Sequence, residues 1–129
     1  MQIEPLPFAR LMGVTIVSVA PDLVVGELKV REDLCTRPAV LHGGAYMAFA
    51  DTIGAVATVA NLPEGMTTTT IESKTNFFAA IPLGDTARAE CTALHKGRTT
   101  MVWQTKITRG DGKLAAIVMQ TQLVMPKRN

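Results

Sequence analysis

One segment, residues 41–61, differs from the rest of the chain and restricts the possible folds more than any other feature. It is rich in alanine and glycine, and it is the only stretch long enough for a substantial helix. Gly43 and Gly44 lie where this helix would begin, and Asn61 and Pro63 would end it. Its side chains are apolar nearly all round, which predicts a helix buried within a wrapped sheet rather than lying on one.

The segments around this helix have the alternation and the β-branched residues that are typical of strands. A short helix is expected at residues 5–12, ended by Gly13. Strands are predicted at 14–19, 23–30, 66–78, 86–94, 99–108 and 114–125. We expect the last four to form an antiparallel meander, within an α+β fold whose sheet covers the long helix.

Composition narrows the possible partners and location. The 129 residues are the usual size of one domain, so we expect a single domain over 1–129. A net charge of +2, without a basic run interleaved with aromatics, argues against nucleic acid. There is no signal-peptide pattern and no apolar run of the ~18 residues that a membrane span needs, so we expect a cytoplasmic protein. Cys35 and Cys91 lack metal-ligand spacing and are expected to be free thiols, with no metal bound.

Asp51 is the residue that fits its surroundings least, because its neighbours in the long helix are apolar. A buried carboxylate is costly unless it is paired or faces a cavity. Asp51 is therefore a candidate for proton transfer or nucleophilic attack. The alternative interpretation is that it lies on a solvated stripe or binds a neighbouring backbone group.

The sequence His42-Gly43-Gly44 at the expected helix start is the second candidate feature. Glycines there leave backbone N–H groups unobstructed, and the positive end of the helix dipole attracts anions. Aimed at a carbonyl, such amides act as an oxyanion hole. The alternative is a loop-to-helix turn in which glycine permits close packing, with His42 in a structural role.

The distance between His42 and Asp51 along the helix restricts how both could act in one site. His42 and Asp51 are nine residues apart in sequence, which is ~13 Å along a helix that rises ~1.5 Å per residue. One substrate carbonyl cannot touch both. Either only one of the two acts, or the site is shared between two copies of the helix in a dimer.

The motif Leu41-His42-Gly43-Gly44, followed by Ala50-Asp51-Thr52, resembles the helix motif of the hot-dog thioesterases. It is most similar to the phenylacetate-degradation and 4-hydroxybenzoyl-CoA types. Residues 70–77, 94–99, 102–104 and 112–114 also resemble that family, so the similarity extends from about Leu11 to Met125. The resemblance implies a hot-dog fold, with an antiparallel sheet of five to six strands around one central helix, and an enzyme that hydrolyses an acyl- or aryl-CoA thioester.

The resemblance also implies roles for particular residues. Asp51 would be the nucleophile or general base, the Gly43 amide the oxyanion donor from the other subunit, and His42 would orient the site or the leaving thiolate. The family forms homodimers and often homotetramers, and coenzyme A enters as part of the substrate, so no separate cofactor is expected. The substrate- and CoA-binding candidates are Gly44, Lys96, Gly97, Arg98, Thr99, Arg88, Asn76 and Phe77. For the basic residues among them, the alternative is a solvated loop.

Two positions depart from the 4-hydroxybenzoyl type. Thr36 stands where those members have glutamine or asparagine, and Ala55 stands where they have threonine, so a hydroxyl that could hold water or the acid is missing there. Two other functions also remain open. One is a hot-dog enoyl-CoA hydratase or dehydratase, which needs its histidine and acid close together, and the other is a non-catalytic acyl-CoA-binding module.

Overall fold

The helices and strands follow one another in the predicted order, with ends within two residues of those expected. A computed structural model describes residues 6–128, so Pro5, where the short helix is expected to begin, lies outside them. The helices are α1 (Pro7–Met12) and α2 (Gly43–Val59). Neither is long and apolar enough to cross a membrane. The strands are β1 (Val14–Ala20), β2 (Leu23–Lys29), β3 (Met66–Phe77), β4 (Thr86–Lys96), β5 (Thr100–Thr108) and β6 (Leu114–Pro126).

The six strands form one antiparallel sheet in the order β1-β2-β4-β5-β6-β3. The predicted four-stranded meander is wrong in one respect, because β3 pairs with β6 and not with β4. The connection 78–85 is too long for a tight hairpin, and β2 takes the place beside β4. The sheet therefore ends in β1 on one side and β3 on the other.

The sheet curls around α2, which contacts all six strands, and this is the predicted hot-dog fold. The small residues of α2 allow this close approach. Gly54 lies directly against Gln120 of β6, so that a Cβ there would collide with the glutamine amide. Phe49, Ile53 and Ala57 are fully buried from the helix side, as are Leu28, Trp103 and Val118 from the sheet.

One face of α2 is less covered than the sequence predicts. Met47 is 39% exposed and Val59 is 47% exposed, and the residues between them on this face are only partly buried. Their spacing of three or four residues places them on one side of the helix. We call this face the open stripe of α2, formed by Gly44, Met47, Ala48, Asp51, Ala55 and Val59.

A β-bulge at Ile71 changes which side chains of β3 face the helix. Thr70 pairs with the buried Gln122, whereas beyond the bulge Ser73 pairs with the buried Gln120. The simple alternation of the sequence places Ile71 on the same side as Ser73. The bulge breaks this alternation, since Thr70 takes the inner position and Ile71 is 56% exposed.

Candidate active site

The start of α2 presents one free backbone donor. His42 caps the helix, and its Nδ1 accepts a hydrogen bond from the Gly44 N–H at 2.8 Å. Because Nδ1 is an acceptor, the neutral ring carries its proton on Nε2. Within residues 6–128 the Gly43 N–H has no acceptor. It is thus available to a ligand at the positive end of the helix.

Asp51 lies on the open stripe and is held by neutral donors from the sheet. Its Oδ1 accepts hydrogen bonds from Thr70 Oγ1 at 2.6 Å and from Gln120 Nε2 at 3.2 Å. No cationic side chain of residues 6–128 forms a salt bridge with it. The carboxylate borders a pocket of about 260 Å³, together with Met47, Ala48, Thr70 and Ser73. It binds side chains rather than the backbone, and it faces a cavity.

Thr70 supplies the hydroxyl that is missing at position 55. Ala55 has none, and the Thr52 hydroxyl donates to the Ala48 carbonyl at 2.9 Å. The bulge at Ile71 turns Thr70 toward Asp51 from β3 instead. At the other departure, Thr36, the backbone N–H donates to the Val40 carbonyl in an exposed loop.

Sequence reasoning missed Gln120 and Gln122, which lie beneath Asp51 on the inner face of β6. Both are 1% exposed, and Val118 and Val124 on the same face are also buried. The sequence does carry a signal for them, since Gln120 and Gln122 are spaced two residues apart between Val118 and Val124, and side chains at this spacing share one face of a strand. Strict alternation would have placed both glutamines against the helix.

A second pocket, of about 400 Å³, opens between α1 and the start of α2. Arg31 fixes its wall by donating to the carbonyls of Met12 at 2.6 Å and Leu11 at 3.2 Å. Ala48 lines both this pocket and the one at Asp51, so the two meet on α2. The second pocket is lined by Phe8, Leu11, Met12, Arg31, Asp33, Leu34, Cys35, His42, Gly44, Ala45 and Ala48.

The candidate CoA-binding residues at the β4–β5 turn are brought together at the other end of α2. Lys96, Gly97 and Arg98 line a pocket of about 530 Å³, and Thr99 is exposed in the same turn. Lys96 Nζ is 2.7 Å from Asp22 Oδ1, so its charge is already paired. Arg98 makes no salt bridge to any residue that the structure describes.

The remaining candidates divide between the two faces of the sheet. Arg88 lies between the buried Ala87 and Ala89, so it points away from α2, where it pairs with Glu27 at 3.8 Å and Glu90 at 3.4 Å. Asn76 also lies on the outer face, and accepts a hydrogen bond from Lys74 Nζ at 3.0 Å.

Phe77 faces inward instead. Its ring packs edge-on against Tyr46 with centroids 5.4 Å apart, and it lies next to Gly43. Of these three candidates, only Phe77 is therefore part of the surroundings of the helix start.

The chain is similar to known proteins over most of its length. The sequence model of the thioesterase superfamily matches residues 39–116. A 1,4-dihydroxy-2-naphthoyl-CoA hydrolase of Listeria monocytogenes is 32% identical over 91% of this chain and 94% of its own. A thioesterase of Haemophilus influenzae has a TM-score of 0.87 at 28% identity, covering 92% of this chain and 82% of that one. A hypothetical thioesterase of Streptococcus pneumoniae, crystallised with coenzyme A, has a TM-score of 0.81 at 25% identity, covering 90% and 88%.

Proposed function

The chain belongs to the thioesterase superfamily, and from that premise we propose that it hydrolyses an acyl- or aryl-CoA thioester to a free acid and coenzyme A. The observation that carries this proposal is Asp51, a carboxylate beside a cavity, held by two neutral donors and without a cation among residues 6–128. A carboxylate so placed is suited to accept a proton from water or to attack a carbonyl carbon. Coenzyme A enters as part of the substrate. The cytoplasmic location stays a prediction.

The path of β3 supports a site shared between two subunits. Thr70 lies beside Asp51, and Phe77 lies beside Gly43. Suppose that a second copy pairs its β3 antiparallel to this β3, with the two-fold axis between Ser73 and Lys74. Phe77 of the second copy then comes opposite Thr70 of the first. The other subunit's helix start then comes near Asp51. This homodimer would also cover a long free strand edge, which proteins rarely leave open. A homotetramer remains a prediction from the resemblance.

We infer the following reaction at such an interface. The thioester carbonyl accepts a hydrogen bond from the Gly43 N–H, whose donor strength the helix dipole increases. Asp51 of the other subunit deprotonates a water or attacks the carbonyl carbon itself. The C–S bond breaks and the CoA thiolate leaves near His42. Where Asp51 has attacked directly, water then hydrolyses the acyl-aspartyl anhydride, which releases the free acid and regenerates Asp51. Both routes are compatible with the geometry of the site.

The surrounding pockets suggest places for the two ends of the substrate. The pocket between α1 and α2 is lined mainly by apolar side chains and borders His42 and Gly44, so it is suited to the acyl group. Arg98 and Lys96 are both candidates for the CoA phosphates. Arg98 makes no salt bridge among the described residues, and the exposed pair of Lys96 with Asp22 is weak enough for a phosphate to replace it.

A thiol-release assay over aliphatic and aryl CoA thioesters tests the proposed function. Asp51→Asn should lower kcat by about 10²–10⁴-fold on every active substrate, with an unchanged melting temperature, because it removes the proton acceptor but keeps the shape. Near-full hydrolysis by Asp51→Asn would contradict the assignment. Hydration of crotonyl-CoA without thiol release would indicate a hydratase, and acyl-CoA binding without any turnover would indicate a binding module.

A further inference from the structure

Two buried glutamines of β6, Gln120 and Gln122, are not accounted for by packing. Each is 1% exposed in an otherwise apolar strand. Buried polar side chains are costly and are normally fully hydrogen-bonded. Gln120 Oε1, however, is buried and has no partner among residues 6–128. An apolar side chain of the same size would avoid that cost, so a structural role alone does not explain the pair.

The glutamines form a hydrogen-bond chain that ends on Asp51. Gln120 Nε2 donates to Asp51 Oδ1 at 3.2 Å and to Gln122 Oε1 at 3.1 Å. Gln122 Nε2 in turn donates to Thr68 Oγ1 at 3.1 Å. The absence of a side chain at Gly54 lets the Gln120 amide lie against the helix and reach the carboxylate. The two amides therefore have fixed orientations relative to Asp51.

The Thr70 hydroxyl connects Asp51 directly to Gln122. Its oxygen is 2.6 Å from Asp51 Oδ1 and 2.5 Å from Gln122 Oε1, which are both acceptors. A hydroxyl has a single proton to donate. When Asp51 is ionised, Thr70 donates to it. When Asp51 is protonated, its carboxyl can donate to Thr70, and Thr70 can donate to Gln122. Asp51 thus has a hydrogen-bond partner in both protonation states.

We propose that Gln120 and Gln122 are positioning residues for hydrolysis through Asp51. Gln120 orients and stabilises the ionised carboxylate, and Gln122 accepts a hydrogen bond from the Thr70 hydroxyl while Asp51 is protonated. This inference rests on the proposed function and favours its general-base route. There, water passes a proton to Asp51 as its oxygen bonds the carbonyl carbon. The C–S bond then breaks, and the proton passes from Asp51 to the CoA thiolate.

Gln120→Met and Gln122→Met test the proposal, because methionine has a similar size without amide hydrogen bonds. Each should lower kcat by about tenfold or more and leave KM within about twofold, since the groups act on the acid and not on binding.

The pH–rate profile separates the two roles. In Gln120→Met the acid limb should move up by about one pH unit, because ionised Asp51 loses a donor. In Gln122→Met it should move down by about as much, because protonated Asp51 loses the acceptor that completes its chain.

Few other groups could produce these shifts. Facing Asp51 are Met47 and Ala48 of α2, Thr70 and Ser73 of β3 and Gln120 of β6, and none of these titrates near neutral pH. In the proposed dimer the other subunit's helix start adds the imidazole of its His42. Neither substitution alters that histidine, so opposite movements of the acid limb would be traced to the glutamines.

Gln104→Met is the matched control. Gln104 lies in β5 between the buried Trp103 and Thr105, on the sheet face that points away from α2. It should keep the wild-type kcat and pH profile. The melting temperature of each variant separates a loss of folded protein from a loss of kcat, because Gln120→Met removes an unpaired buried oxygen but also takes a donor from Gln122 Oε1.

The activity of Asp51→Asn tests the proposed function, whereas the activities of the two methionine variants test the role of the glutamines. If Asp51→Asn abolishes hydrolysis while both methionine variants keep the wild-type kcat and acid limb, the role of the glutamines is wrong and the function stands. If Asp51→Asn remains active, the function itself fails. Should Gln122→Met not fold, Gln122→Leu replaces it with the same expected downward movement of the acid limb, and should Gln120→Met not fold, Gln120→Glu replaces it. A second carboxylate beside Asp51 should then move the acid limb to higher pH, and an unmoved limb overturns the inference.

Discussion

In the proposed site a single backbone amide, the Gly43 N–H, would polarise the thioester carbonyl. Gly43→Pro removes the N–H at the first helical position, where proline is tolerated. His42 already has φ −63° and ψ 139°, which suits a residue before proline. We expect kcat to fall by about 10²–10³-fold with little change in melting temperature.

Gly43→Ala is the control for this change, because it keeps the amide. Its Cβ would meet the Phe77 ring at 3.4 Å, an ordinary contact, so near-wild-type turnover is expected. An alanine variant as inactive as the proline variant would show that the missing side chain of Gly43, and not its N–H, is what the site requires.

The buried thiol of Cys91 should make the fold sensitive to alkali. Burial raises its pKa from 9.0 to about 11. Between pH 9 and pH 11 the thiol stays protonated in the folded state but ionises in the unfolded chain. This ionisation favours the unfolded chain, so stability that is present below pH 9 is lost as the pH rises toward 11. We expect the free energy of unfolding to fall by about 2 kcal/mol over this range in urea titrations.

Cys91→Ala should flatten that dependence, although it lowers the stability at neutral pH by leaving a cavity. Cys35→Ser, at a partly exposed thiol, should leave the dependence unchanged. Burial also raises the pKa of Tyr46, but both variants retain that residue, so their difference isolates Cys91. Equal slopes in the two variants would contradict the assignment.

At the scale of elements, β3 shows how far local sequence predicts this fold. Its ends were predicted to within one residue, because alternation and flanking turns are local signals. Its pairing with β6 was not, since strand order depends on contacts distant in sequence. The bulge at Ile71 then reversed the expected inner and outer sides near Thr70.

In the candidate site, too, local sequence indicates one residue but not the distant residues that contact it. The apolar helix alone made Asp51 a candidate, with a solvated or structural role as the alternative, and the family resemblance added its expected role as nucleophile or general base. Its partners Thr70 and Gln120, however, are 19 and 69 residues away in sequence, and no pattern within α2 points to them.

α1 should act as a selectivity element, since Phe8 and Leu11 form the outer wall of the apolar pocket. Phe8→Ala and Leu11→Ala should raise KM for long aliphatic CoA thioesters by about tenfold, because each buried methylene contributes ~0.8 kcal/mol. KM for acetyl-CoA should stay within about twofold of the wild type, since a two-carbon acyl group would not reach that wall. Val17→Ala, at an exposed apolar position of β1 outside the pocket, is the control. An equal rise in KM for short and long substrates would place the acyl group elsewhere.

At the scale of the whole molecule, the fold separates the two groups that the proposed reaction needs. Gly43 and Asp51 lie on one rigid helix, about 12 Å apart at ~1.5 Å per residue. The same fold leaves the edge of β3 free and the stripe of α2 open beside Asp51. A single chain therefore has both halves of a site but cannot bring them to one carbonyl, and a two-fold pairing along β3 would create two complete sites.

Two inactive chains should consequently restore activity when they are mixed. In a heterodimer of Asp51→Asn and Gly43→Pro chains, one site combines the intact amide of the first with the intact carboxylate of the second, while the other site has neither. Random exchange of subunits should recover about a quarter of the wild-type activity per site, because half of the dimers are mixed and each has one working site. Coexpression with two affinity tags and sequential purification isolate the heterodimer alone, whose thiol release should reach about half of the wild-type activity per site, because one of its two sites is intact. If each site were built within one chain, purified heterodimers would be as inactive as the parent variants.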